Sequence, residues 1–122
     1  ISALLMILNN KSKSYKISAE LNPDDLLLIK TYILGTINGF CINDKASVFS
    51  VRILFGGDNR NWDHTPLQKI YNYYIQIGKS ITDATVSSAI DVGRLLKKIL
   101  EDDKRQFEIV GKDTGLLYKL NS

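Results

Sequence analysis

The punctuation of the second half of the chain narrows the fold furthest, although many small α+β domains share its order: two capped helical stripes, then a turn between two strand-like runs. Thr65 reads as a helix cap with Pro66 at the first helical position. Leu67, Ile70, Tyr71 and Tyr74 follow at i, i+3, i+4 and i+7, a one-sided stripe, and Gly78 ends it. A longer helix is expected from Thr82 or Asp83 to about Glu101, with Ala89, Val92, Leu96, Ile99 and Leu100 as its core face. Gly93 inside it predicts a close helix approach. Phe107 to Val110 and Leu116 to Leu120 are strand-like, with Gly111, Lys112, Asp113, Thr114 and Gly115 as the tip of a hairpin. Two helices and then a hairpin is the order of a helix-turn-helix with a wing, the second helix being the recognition helix. The expected fold class is therefore α+β. A winged helix-turn-helix core over residues 47–122 is preceded by a strand and helix extension over residues 1–46, the two forming one unit.

The extension reads as a hairpin plus a helix. Residues 3–8 and 15–21 are expected strands, joined by Asn9, Asn10, Lys11 and Ser12. In the second run Tyr15, Ile17, Ala19 and Leu21 alternate with Lys16, Ser18 and Glu20, the period of a half-exposed strand. Asn22 is a good N-cap, Pro23 suits the first helical position, and Asp24 and Asp25 favour the positive end of the helix dipole. Leu26, Ile29, Ile33 and Ile37 form an apolar stripe, widened by Leu27 and Leu34, with Gly39 as the stop and Phe40 to Ile42 as a short extended piece. Residues 48–55 fit two patterns: Phe49, Val51, Ile53 and Phe55 alternate like a strand, and Ser50 equally caps a short helix. Gly56, Gly57, Asp58 and Asn59 then make a loop.

Composition narrows the chemistry. With 122 residues, the chain has the size of one ordinary domain. One cysteine, Cys41, excludes a disulfide framework and a multi-thiolate metal site, and one histidine, His64, excludes sites needing two imidazoles. A reducing cytoplasm is the expected compartment. No stretch approaches the ~20 apolar residues that span a membrane, and the run Ala3 to Leu8 is short and lacks a basic flank, so no signal peptide is expected. The net charge is +3, from 16 Lys and Arg against 13 Asp and Glu. It is mild, so the question is whether basic residues share a face.

Arg94, Lys97 and Lys98 do so on any helix, being three and four residues apart. Like charges at that spacing repel, and a phosphate backbone relieves the repulsion while releasing counterions. Lys104 and Arg105 extend the patch, and Lys112 sits at the hairpin tip, where a wing touches DNA. The plainer reading is a solvated helix end diluted by Glu101, Asp102 and Asp103. Of the aromatic residues, Tyr71 and Tyr74 belong to a core stripe, Trp62 reads as a packing residue, and Tyr73 is the candidate base-stacking platform. The loop from Gly56 to Arg60 lacks the Gly-Lys-Ser/Thr of a P-loop. Asp63 beside His64 has no nucleophile with it, and Cys41 lies between Phe40 and Ile42 as a buried thiol would. No metal-ligand spacing is present, so neither an enzyme nor a cofactor is expected.

From Val48 onward the chain resembles a small domain family of Gram-positive bacteria and their mobile elements. The likeness is carried by Phe49-Ser50-Val51-Arg52 running into Leu54-Phe55 and by Trp62 before Thr65-Pro66. Gly93 with Leu95 and Leu96, and the Gly111-Lys112 turn leading to Tyr118, complete it. Ile53 departs from the acidic residue typical there, Ile75 to Ala89 is longer than usual, and Ile1 to Ala46 has no counterpart. The resemblance implies a winged-helix core. Because the family includes a single-stranded-DNA-binding protein of staphylococcal cassette elements, it also implies a replication accessory of a phage or mobile element.

The expected function is thus non-enzymatic DNA binding, single strands favoured, with Arg94, Lys97, Lys98, Lys104, Arg105 and Lys112 on phosphates and Tyr73 on a base. The near-balanced charge keeps a protein partner open, as for a phage-encoded inhibitor of a host defence or replication protein. A duplex-binding regulator is the third reading, and it requires a dimer. Monomer and dimer both remain compatible with the sequence.

Overall fold

The structure, a computed structural model, describes residues 16–43, 47–56, 62–112 and 115–121. Among them the architecture is α+β: helices α1 (Pro23–Asn43), α2 (Val51–Phe55), α3 (Gln68–Gln76) and α4 (Ile81–Asp102), then strands β1 (Gln106–Lys112) and β2 (Leu116–Asn121) in one antiparallel hairpin. The expected strand over 3–8 and the hairpin tip at Asp113 and Thr114 lie outside the described residues.

Asn22 caps α1 as expected, its side-chain oxygen accepting from the Asp25 N–H at 2.8 Å. Ile29, Ile33, Ile37 and Cys41 form a fully buried i, i+4 ridge. Leu27 and Leu34, expected to widen that stripe, point outward instead. Gly39 does not stop the helix: α1 runs to Asn43 and absorbs the supposed extended piece Phe40 to Ile42. The gain from burying Cys41 beyond Gly39 outweighs the ~1 kcal/mol that an internal glycine costs. At 21 residues α1 is also long and apolar enough to cross a membrane, which corrects the expectation that no such segment exists. Its inner ridge nevertheless belongs to the same hydrophobic cluster as α3, α4 and the hairpin.

Of the two patterns read at residues 48–55 the short helix is the one realised, and only Phe49 pairs as extended chain. Phe49 forms an isolated bridge to Tyr118, with two backbone hydrogen bonds of 2.8 Å. Ser50 then caps α2, accepting from the Ile53 N–H at 3.2 Å. Phe49 sits at the centre of an aromatic cluster with Phe40, Phe107 and Tyr118 at ring separations of 5.3 to 5.9 Å. This cluster fastens the hairpin to the helices.

Helix α3 begins two residues later than expected, at Gln68 and not at Pro66. Thr65 spends its hydroxyl on a tight turn, donating to the Trp62 carbonyl at 2.7 Å and accepting from the Leu67 N–H at 3.2 Å. Gly78, at φ +95°, ends it in the left-handed conformation that glycine adopts without strain. Ser80, rather than Thr82, caps α4 through the Asp83 N–H at 3.1 Å. Val92, Leu96 and Leu100 are buried as read, with Ala89 and Ile99 half-buried, but the face is wider and includes Ala84, Ser88, Asp91, Leu95 and Glu101. Nothing lies within 4 Å of where a Cβ on Gly93 would stand, so the close approach expected there is absent. The hairpin has a bulge at Val110, where Ile109 pairs with Tyr118 and Gly111 with Leu117.

Candidate nucleic-acid interface

The local organiser of the candidate interface is an acid on the wrong side of a helix. Asp91 sits in the apolar stripe of α4 and is 1% exposed. A buried carboxylate is tolerated only when donors satisfy it. Here three do: the Ser18 N–H at 3.0 Å, the Ala19 N–H at 3.2 Å and the Tyr74 hydroxyl at 2.5 Å. Burial, and next the hydrogen bond to Asp91, push the Tyr74 hydroxyl well above its ordinary pKa. Residues 16–21 are therefore not a strand. Their alternation survives as burial, with Ala19 inside and Lys16, Ser18 and Glu20 exposed, but their backbone is held by a side chain and not by a ladder.

This clamp has an electrostatic consequence. It lays Lys16 alongside α4, where the Lys16 carbonyl accepts from Arg94 Nη1 at 3.4 Å. Arg94 is exposed on the outer side of α4, and Lys97 and Lys98 follow within the next turn, half-buried. Lys98 also pairs with Asp102 at 3.3 Å, an exposed i, i+4 contact of the kind worth only a few tenths of a kcal/mol. The backbone of Lys16, an exposed residue, thus lies against Arg94 on the helix that also carries Lys97 and Lys98, two segments distant in sequence.

The remaining expected contacts are placed differently. Arg105 is engaged within the protein. Its Nε and Nη2 grip Asp103 at 2.9 and 2.7 Å, Nη2 also donates to Asn38 of α1 at 2.7 Å, and the guanidinium lies 5.2 Å from the Phe107 ring centre. Its guanidinium hydrogen bonds hold the Asp103 carboxyl below the usual range. A phosphate at Arg105 would have to displace Asp103. Lys104 is exposed in the connection after α4. Lys112 is exposed at the far end of β1, roughly 20 Å of extended chain beyond Gln106. Tyr73 is half-buried, edge-on to Tyr74 at 5.1 Å, so only part of its ring faces outward.

Two residues were missed by reading the sequence. Asp91 was visible in principle, as an acid within the stripe of Ser88, Val92 and Leu95 that demands donors. Its partners lie 72 and 73 residues away, so Lys16 carried no local signal. Asp63 and His64 are both exposed in the turn before α3, His64 at φ +67°. Cys41 is buried, and that burial raises its pKa, favouring the neutral thiol. Among the described residues no group of three or more His, Cys, Asp and Glu could hold a metal ion. No known protein family, curated protein or solved structure matches this chain.

Proposed function

We propose that this protein binds nucleic acid through the outer side of α4, preferring single strands, with Lys16, Arg94, Lys97 and Lys98 on the phosphates. The observation that carries the reading is the Asp91 clamp, which brings the backbone of a fourth basic residue against Arg94, on a helix whose Lys97 and Lys98 follow at i+3 and i+4. Neighbouring like charges repel, an effect that the Lys98–Asp102 pair offsets in part, and phosphates would relieve it further through counterion release. In this reading α3 and α4 act as the two helices of a winged helix-turn-helix and the β1–β2 hairpin as its wing, with Lys112 a secondary contact. The single-strand preference rests on the family resemblance and on the partly outward ring of Tyr73.

The test is fluorescence anisotropy with single-stranded and duplex oligonucleotides of equal length across a salt series. Tighter single-strand binding is expected. Lys16→Ala with Arg94→Ala should weaken binding about equally for all sequences and lower the salt slope by roughly 1.4, two contacts at ~0.7 each on a single strand. Absence of binding to either oligonucleotide at low salt would discard nucleic acid as the ligand. Preference for duplex would point to a regulator instead.

A further inference from the structure

The outer side of α4 carries more than cations. Val86 and Ile90 stand one turn apart there, 55% and 49% exposed, and the exposed Arg94 continues the same row at the next turn. Side chains four residues apart share a helix face, so Ile90 lies about 6 Å and Val86 about 12 Å along the axis from Arg94. Gly93, between Ile90 and Lys97 on that face, adds no side chain to it, and an atom at its Cβ position would meet nothing within 4 Å. The helix therefore presents a low aliphatic surface that ends in basic residues. Asp83, exposed one turn before Val86, places an acid at the other end of the row.

The charges at the two ends of the row select its occupant. That occupant is apolar where it meets Val86 and Ile90 and anionic about one turn away, at Arg94 and Lys97, while Asp83 repels an anion at the opposite end. A single nucleic-acid strand has this constitution in every unit, a flat base beside a phosphate. A duplex does not, since its bases stay stacked and offer an aliphatic side chain little beyond the thymine methyl. Building on the nucleic-acid reading above, we infer that Val86 and Ile90 are the residues that discriminate between strands: bases rest on them and over Gly93 while Arg94 and Lys97 hold the adjoining phosphates. The single-strand preference then resides in the aliphatic row. The cations, which a duplex backbone satisfies as well, supply affinity without discrimination.

Val86→Ser combined with Ile90→Ser tests this, because both positions are exposed and serine has the helix propensity of valine and isoleucine. Fluorescence anisotropy would compare three ligands across a salt series: a single-stranded oligonucleotide, a strand of equal length built wholly of abasic units, and a duplex. The wild-type chain should bind the intact strand about tenfold more tightly than the abasic one at every salt concentration. In the double variant that advantage should vanish, with the abasic and duplex affinities and the salt slope unchanged, since counterion release belongs to the cations. A loss confined to one ligand cannot come from misfolding. Arg94→Ala should do the reverse, weakening all three ligands and lowering the slope while keeping the ratio between intact and abasic strands. Equal wild-type affinity for those two strands, or a double variant that keeps the wild-type ratio, would overturn the inference and leave the nucleic-acid reading standing. No wild-type binding to any of the three would overturn both. A wild-type dimer in sedimentation velocity that the double variant dissociates would give the row to a second copy of the chain and likewise sink the inference.

Discussion

Asp91 shows how one side chain determines what several others can do. Its carboxylate is the common acceptor for Ser18, Ala19 and Tyr74, so its loss strands three buried or half-buried donors at once. Asp91→Ala should cost roughly 2–4 kcal/mol in urea unfolding, at the upper end for single substitutions, and should also weaken oligonucleotide binding by releasing Lys16 from Arg94. Tyr74→Phe removes one of the three bonds and should cost about 1–2 kcal/mol. The pH dependence follows from the raised Tyr74 pKa. Its contribution is complete below the unfolded tyrosine pKa of about 10 and is lost as pH rises through the higher native value. Thermal unfolding should therefore fall off above pH ~10, less steeply in Tyr74→Phe. Two other residues invite stabilising changes. Gly93 has room for a methyl group on a helical backbone, so Gly93→Ala should raise stability by about 0.5–1 kcal/mol. Glu101 is 3% exposed, and among the described residues neither of its carboxylate oxygens has a hydrogen-bond partner. Glu101→Met should accordingly raise the urea midpoint, by roughly 1–3 kcal/mol of stability.

Elements were legible where their signals were local, and misjudged where distant contacts decided. The caps at Asn22 and Ser50, the stop at Gly78 and the hairpin are all short-range features, and each stands in the structure. The end of α1 was hidden because Gly39 signals a stop, whereas the burial of Cys41 against the core carries the helix on. Residues 16–21 alternate as a strand does because one side of them is buried, and alternation alone does not say what satisfies the backbone. The connection between α4 and β1 has its own pH signature. Arg105 depresses the Asp103 pKa, so this bridge contributes fully above the unfolded aspartate pKa of about 4 and fades as pH falls through the lower native value. Asp103→Asn should lower stability near pH 7 by about 1–2 kcal/mol and flatten the acid limb of a pH–stability profile. Arg105→Ala should behave the same way, and should affect oligonucleotide affinity less than Arg94→Ala does.

At the scale of the molecule the basic residues are unevenly placed. Basic residues concentrate where residues 16–21 meet α4, while the exposed side of α1 is mainly apolar and carries Lys30 as its basic residue. A net charge of +3 spread over 122 residues concealed this, because a total does not record position. The candidate interface was thus half legible: the helical triplet could be read from its spacing, and Lys16 could not. The clamp also ties together parts of the chain more than seventy residues apart through a single carboxylate. Closing so long a loop is worthwhile only after α3 and α4 have already placed Tyr74 beside Asp91. The segment at residues 16–21 should then be a late arrival in folding and an early departure in opening. The amide protons of Ser18 and Ala19, shielded by no ladder, would exchange with solvent deuterium each time it lifts, and so keep a clock on the exposure of α4 that no helical amide can provide.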